Sequence, residues 1–306
     1  MQTVRNSFEK ASSFFKAHRK LRIAAIALLA LVVALLVLLV ALHPHGTQTY
    51  LILGIDNYGS LDDNGRSDVM MLVHLDFDRS QIAAATFARD MFVKNDTGSQ
   101  VKINTIVRNH DEDALVRAVE QNFGVEIDGW FRVNFSSVIS IVDAIGGADV
   151  ELTAEEARYI DNTAGAYPDS PLSEGICHLN GAQALTYARC RKLDNDIGRG
   201  NRQSKLFEAL VAQMRRMTAS HVLSLVDSMS HAWRSSLSGA QQAALVYKAL
   251  WLRGAEVTRI SVPFEGSWRY GNAANGTSGI LADLEDNRRL LLEALGLPAP
   301  QQPEEE

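Results

Sequence analysis

The hydrophobic positions along the chain change rhythm near residue 43. Before that point, residues 21–42 read LRIAAIALLALVVALLVLLVAL, and twenty apolar residues follow Arg22 without a break. As a helix this run crosses a bilayer core of about 30 Å at about 1.5 Å per residue. A buried core helix and a cleaved signal peptide are the other readings of such a run. It is longer than an ordinary signal core and no small-x-small site clearly follows it, so a transmembrane helix is expected over 21–42.

Beyond it the apolar stretches are short and punctuated. TYLILGID predicts a strand ending at Gly and Asp, and further strands are expected at 68–76, 81–88 and 130–135 (WFRVNF), with ADVEL another. DEDALVRAVEQNFG predicts a helix over about 111–123, acidic in its first turn and stopped by Gly124. SSVISIVDAIGG predicts a helix capped by Ser and closed by a Gly pair. LNGAQALTYAR is helical in character with Asn180 as its cap, and RGNRQSKLFEALVAQMRRM is amphipathic. Helices also fit 220–233 and 238–252, EVTRISVPF fits a strand, and 285–296 fits a closing helix. The interleaving predicts an α/β domain over 47–298, layered α/β/α around a central mixed sheet. Residues 299–306 continue as a Pro-rich acidic tail that reads as disordered.

Charge sharpens this division. The 306 residues carry 30 Lys and Arg against 36 Asp and Glu, a formal charge of −6. Six of the basic residues (Arg5, Lys10, Lys16, Arg19, Lys20 and Arg22) precede the apolar run, with Glu9 the one acid among them. Positive flanks stay inside, so residues 1–20 are expected to be a cytoplasmic tail and the large C-terminal part extracytoplasmic. Without that tail, 24 Lys and Arg face 35 Asp and Glu, a formal charge of −11. A nucleic-acid-binding domain is normally basic, so no nucleic-acid partner is expected. Two cysteines, Cys177 and Cys190, lie in a part of the chain where a disulfide is permitted. A bridge and two small buried hydrophobes both fit.

Against the acidic background, YARCRKLDNDIGRGNRQ (187–203) holds four arginines and a lysine. Arg189 and Arg191, at i and i+2, share a face if the chain is extended. Their planar forks suit phosphate oxygens, and a solvated face paired to Asp194 and Asp196 is the alternative. Arg199 and Gln203, at i and i+4, share a face near a helix start, which is itself an anion site. Asp56 and Asp68 stand near strand ends, where open α/β sheets bind ligands. Two carboxylates suit Mg²⁺, which takes one or two and fills its shell with water and phosphate oxygens. Either Asp also fits a turn or cap. Arg66, the Arg89–Asp90 pair and Lys102 in VKIN complete the polar clusters at loops and strand ends.

The ordered pattern LILGID, GRSDVMML, FARD, KIN, NFSSVISIVDAIGGADVEL and LNGAQALTYARCRKLDNDIGRGNRQ, over most of residues 50–205, resembles the LytR-CpsA-Psr family. The resemblance implies an envelope phosphotransferase of mainly Gram-positive bacteria. It would move an anionic glycopolymer, such as teichoic acid or capsule, from a polyprenyl-pyrophosphate carrier to peptidoglycan through a phosphodiester, with Mg²⁺ assisting. It implies Asp56 and Asp68 at the metal. Arg66, Arg89, Arg189, Arg191 and Arg199 with Gln203 would surround the pyrophosphate, Lys102 matching a basic residue there. Asp90 is a candidate base for the acceptor hydroxyl, or a support for Arg89. The family's usual Ser-Ile-Pro-Arg-Asp is TFARD here, with Ala88 in place of the Pro, and NTIVRNHDED after Lys102 is less typical. The helices FSSVISIVDAIGG and QSKLFEALVAQM are expected to line a lipid groove or to be ordinary core helices. A polyprenyl-phosphate-binding regulator and a polyprenyl-pyrophosphate hydrolase share the same expected site.

Overall fold

A computed structural model describes residues 43–62, 65–164, 171–193, 196–218, 222, 231–273 and 276–298. The apolar run at 21–42, the N-terminal tail and residues 299–306 lie outside them. Among the described residues no helix is long and apolar enough to cross a membrane.

In chain order the elements are β1 (Thr47–Ile55), β2 (Ser67–Asp76), β3 (Gln81–Phe87), β4 (Phe92–Lys94), β5 (Gln100–Lys102), α1 (Ile106–Asn109) and α2 (Glu112–Phe123). They continue as β6 (Gly129–Val133), α3 (Phe135–Ala144), β7 (Ala148–Leu152), α4 (Ala154–Ala164), β8 (Gly175–Leu179), α5 (Gly181–Arg189) and α6 (Asp196–Arg216). The last are β9 (Arg234–Ser235), α7 (Gly239–Ala249), β10 (Glu256–Val262), β11 (Trp268–Asn272), β12 (Ser278–Ala282) and α8 (Leu284–Leu295).

Six strands form a central mixed sheet in the order β10-β3-β2-β1-β6-β9. β2 runs antiparallel to both β1 and β3, while β6 is parallel to β1 and β10 to β3. The middle strands read as unbroken apolar runs because both faces are covered. Leu51, Leu53 and Ile55 face Leu115 and Phe123 of α2 and Leu291 of α8. Tyr50, Met71 and Val73 face the other way, toward Phe207 and Val211 of α6 and Leu245 of α7.

Local chemistry corrects several expected boundaries. Asn134, not a serine, caps α3, and its side chain and that of Ser137 form a reciprocal capping box. That cap ends β6 at Val133, short of the expected strand end. Asp111 caps α2 and Gly124 closes it in the left-handed region (φ 68°). ADVEL forms β7 but leaves the central sheet, pairing only with β8. Of the helix expected at 220–233, Val222 is helical, residues 231–233 are not and lead into β9, and residues 220, 221 and 223–230 lie outside the described ones. The helix expected to 252 ends at Ala249 and tightens into a 3₁₀ turn over Leu250–Leu252. The hairpins β4–β5 and β11–β12, with α4 and β8, had no expectation behind them.

α3 and α5 cross closely. The Gly181 amide donates to Asp143 Oδ1 at 2.7 Å, and a Cβ on Gly181 would stand 2.3 Å from the Ile139 carbonyl oxygen. That oxygen is helix backbone and cannot swing away. Gly181→Ala is therefore expected to lower Tm by about 5 °C or more; a thermal melt within 1 °C of wild type, by the same scale, would mean that the helices separate freely.

One end of the sheet gathers the C-termini of β1, β3, β6 and β10 and the start of β2. The registers show it: Ile55 lies opposite Ser67, Gly54 beside Val133, and Phe87 beside Val262. The ladder shifts register between Gly54 and Ile55. Only glycine fits there, since a Cβ on Gly54 would approach Val69 Cβ to 2.8 Å. The shift turns the chain out of the ladder just before Asp56.

Candidate active site

Asp68, the second residue of β2, is the centre of the polar cluster at that sheet end. Its side chain is only 13% exposed, with Arg89 Nη1 3.1 Å from Oδ1 and Arg191 Nη2 against Oδ2. Arg199, from the first turn of α6, donates from Nη2 to the Asp68 carbonyl at 3.4 Å. Burial pushes the Asp68 carboxyl up, but the charges of Arg89, Arg191 and Arg199 and the Arg89 hydrogen bond together outweigh it and hold the group below the usual carboxylate range. The acid therefore stays ionised as a counter-charge to three guanidiniums.

The cluster extends through Arg89. Its Nε lies 3.8 Å from Asp90 Oδ2, and Asp90 Oδ1 lies 3.4 Å from Lys102 Nζ. The TFARD turn after β3 and the β5 strand are thus joined across one carboxylate, despite Ala88 in place of proline. Asp56, next after β1, is half exposed and 3.7 Å from Arg189 Nη2. Gln203, one turn after Arg199 on α6, is buried and donates to the Ala188 carbonyl at 3.4 Å.

Nine of the ten expected residues thus meet at one end of the sheet: Asp56, Asp68, Arg89, Asp90, Lys102, Arg189, Arg191, Arg199 and Gln203. Arg66 is at the same end by its backbone, but its side chain makes none of these contacts. Its carbonyl accepts from the Asp56 amide at 3.3 Å, while its side chain is exposed and takes no ion pair among the described residues.

Arg189 and Arg191 do not sit side by side as in an extended chain. Arg189 is the last residue of α5 and Cys190 its extended C-cap, so the two diverge, one to Asp56 and the other to Asp68. Arg189 also lies over the Phe135 ring, 3.9 Å from its centroid. Arg202 had no expected role, yet it is buried and donates to the Cys190 carbonyl at 2.8 Å while pairing with Glu156 at 3.4 Å. It holds the arginine-bearing turn from beneath. Its partner Glu156 is far away in sequence, so no local pattern marks it.

The possible bridge between Cys177 and Cys190 is not present; both are free and buried. Cys177 lies in β8 and Cys190 beyond the far end of α5, whose nine residues span about 13 Å. A disulfide requires Cα atoms within about 7 Å. Cys177 Sγ instead donates to the Ser173 carbonyl at 3.1 Å.

Behind the polar cluster the space turns apolar. A first cavity of about 160 Å³ begins at Asp68, Arg189, Arg191, Arg199 and Gln203 and runs inward past Val138 of α3, Ala188 of α5 and Leu210 of α6. A second, about 380 Å³, reaches Ile141, Trp233 and Val246. A third, about 240 Å³, reaches Val73, Met214 and Leu250. All three share Ile52 and Phe207. α7 buries none of its residues, because its apolar side looks onto this space. Of the two readings of the α3 and α6 sequences both hold in part: Val138 and Leu210 line the cavities and also pack against the core.

Among the described residues no three His, Cys, Asp or Glu side chains cluster as a metal site. The cluster's hard donors are the carboxylates of Asp56, Asp68 and Asp90, each of them paired to a basic side chain. That set suits Mg²⁺, which takes one or two protein carboxylates and completes its shell from phosphate and water, and does not suit a closed four-ligand site.

Comparison with known proteins gives a consistent result. The LytR_cpsA_psr family model matches residues 14–286. The chain is 33% identical over 171 residues to the polyisoprenyl-teichoic acid--peptidoglycan teichoic acid transferase TagV of Bacillus subtilis (strain 168), covering 54% of this chain and 43% of that protein. It is 32% identical over 168 residues to the corresponding TagU of Bacillus mycoides (strain KBAB4), covering 53% and 50%. The chain thus spans about half the length of the curated relatives it matches. Among solved structures, TagT bound to LIIa-WTA superposes with a TM-score of 0.68 over 82% of this chain and 91% of that one, at 21% identity. B. subtilis TagV superposes with a TM-score of 0.64 over 84% and 100%, at 25% identity.

Proposed function

The chain belongs to the LytR-CpsA-Psr family, and from that premise we propose that it is a membrane-anchored phosphotransferase moving an anionic glycopolymer from a polyprenyl-pyrophosphate carrier to peptidoglycan. The observation that carries this reading is an apolar cavity whose lining includes Arg189, Arg191 and Arg199. A polyprenyl pyrophosphate has that same division, a hydrocarbon tail ending in two phosphates. The tail would occupy the space around Ile52 and Phe207, and the phosphates would meet Arg89, Arg189, Arg191, Arg199 and Lys102.

The reaction needs little covalent help from the protein. A peptidoglycan hydroxyl attacks the phosphorus that bears the glycan, a new P–O bond forms, the bond from that phosphorus to the bridging oxygen breaks, and polyprenyl phosphate leaves, with the hydroxyl proton passing to the released phosphate or to solvent. Positioning and charge neutralisation dominate such transfers. The guanidiniums stabilise negative charge on the leaving phosphate, and they do so from a half-buried site where the attraction is stronger than in water. Asp90, between Arg89 Nε and Lys102 Nζ, aims both cations. Asp56 and Asp68 would hold Mg²⁺, which when bound supplies Lewis-acid neutralisation of phosphate oxygens. Arg66 would reach the glycan-side phosphate from its exposed loop. Residues 21–42 would anchor the domain, with 1–20 cytoplasmic, at the surface where the lipid carrier resides.

The test is transfer in vitro, with a lipid-pyrophosphate saccharide and peptidoglycan oligomers as substrates. Phosphodiester-linked glycan on the oligomer is the expected product. Free phosphorylated glycan would identify a hydrolase, and tight lipid binding without turnover would identify a binding regulator.

A further inference from the structure

Tyr58 has no part in the mechanism above, yet it stands at the mouth of the cavity two residues after Asp56. It is 62% exposed, more than any other large aromatic among the described residues. Exposure alone would mean nothing if the loop were loose, but its backbone is fastened at three successive carbonyls. Asn57 accepts from the Phe135 amide at 3.0 Å, Tyr58 from Ser136 Oγ at 3.3 Å, and Gly59 from Asn134 Nδ2 at 2.7 Å. All three donors belong to the cap and first turn of α3. The side chain is held as well. Its ring meets Phe135 edge to face at 4.9 Å, and its hydroxyl accepts from Arg189 Nη1 at 3.5 Å.

We propose that Tyr58 is a saccharide platform, stacking its exposed ring against the first sugar of the donor on the solvent side of Arg189. This rests on the reading of the mouth as a lipid-pyrophosphate cradle. With the tail in the cavity and the phosphates on the guanidiniums, the glycan must leave outward past Arg189, and the Tyr58 ring is beside that exit. The chemistry fits. The face of an aromatic ring carries the negative part of its quadrupole, and the axial C–H bonds of a pyranose present a weakly positive, apolar surface to it. A fixed ring also orders nothing on binding, so the contact costs little conformational entropy. The hydroxyl, committed to Arg189, is not required for stacking.

The experiment measures binding of the full chain in detergent to two probes: a polyprenyl-pyrophosphate disaccharide and glycan-free polyprenyl pyrophosphate. Tyr58→Ala is expected to weaken the glycosylated lipid about tenfold and to leave the glycan-free lipid within about twofold of wild type. Tyr58→Phe is expected to bind both as wild type does. Equal weakening of both lipids by Tyr58→Ala would overturn the proposal and make Tyr58 a support for Arg189. Unchanged binding of both would overturn it too, as would loss of the glycosylated lipid in Tyr58→Phe. A wild-type chain that binds neither lipid would remove the cradle itself, and the platform with it.

Discussion

Arg191→Ala is expected to slow glycan transfer by about 10²–10³-fold, the effect of losing one preorganised donor at a developing anion. Lys192→Ala, one residue away with the same charge change, is expected to stay within about twofold of wild type. The contrast follows from position. Arg191 lines the cavity mouth and contacts Asp68, while its side chain remains 45% exposed, so it can meet an arriving phosphate without leaving its carboxylate. Lys192 is exposed and absent from the cavity lining. The fold is expected to survive, because Asp68 keeps its 3.1 Å contact to Arg89. Single-turnover rates of polyprenyl phosphate release, taken together with thermal melts, check both halves. A wild-type rate in Arg191→Ala with unchanged Tm would remove this arginine from the site.

The second large effect concerns the lipid. Leu210 of α6 lines the first two cavities, so Leu210→Trp places an indole in empty space rather than in a filled core. The KM for a long-chain polyprenyl donor is expected to rise about 100-fold, since excluding even a few methylenes forfeits about 0.8 kcal/mol each. Stability is expected to hold or rise, because filling a void restores contacts that a cavity lacks. A donor truncated to one or two isoprene units would be nearly indifferent to the change. Kinetics that do not depend on chain length in wild type and variant alike would place the tail elsewhere.

Most of the candidate site was legible in the sequence, and the residues show why. Asp56 and Asp68 flank a loop between two apolar runs, and an antiparallel pair returns the second run beside the first, placing Ile55 opposite Ser67. Arg199 and Gln203 obey the helical repeat, and α6 begins at Asp196, so their shared face follows. Arg189 and Arg191 do not share the face that i, i+2 spacing gives in an extended chain, because α5 runs as far as Arg189. The residue types were right, but a helix terminus separates the pair that a strand would have aligned. Arg202 carries no local signal of its role, because its charge is answered by Glu156 and by the Cys190 carbonyl, partners that adjoin it only in the folded chain.

By itself the sequence determined the quantities that depend on neighbours along the chain. These are the apolar length of 21–42, the strand and helix periods of the α/β domain, the Gly124 stop and the Asn180 cap, and the choice of arginine and aspartate in an acidic background. Each is set by backbone stereochemistry and side-chain type within a few residues. Tertiary structure alone decided which helices cover which face of the sheet, that β7 leaves it, that Cys177 and Cys190 stay apart, and that α3, α6 and α7 enclose a cavity. It alone set the exposed Tyr58 ring on the first turn of α3. These outcomes come from packing and from hydrogen bonds between residues distant in sequence, whose partners no local pattern specifies.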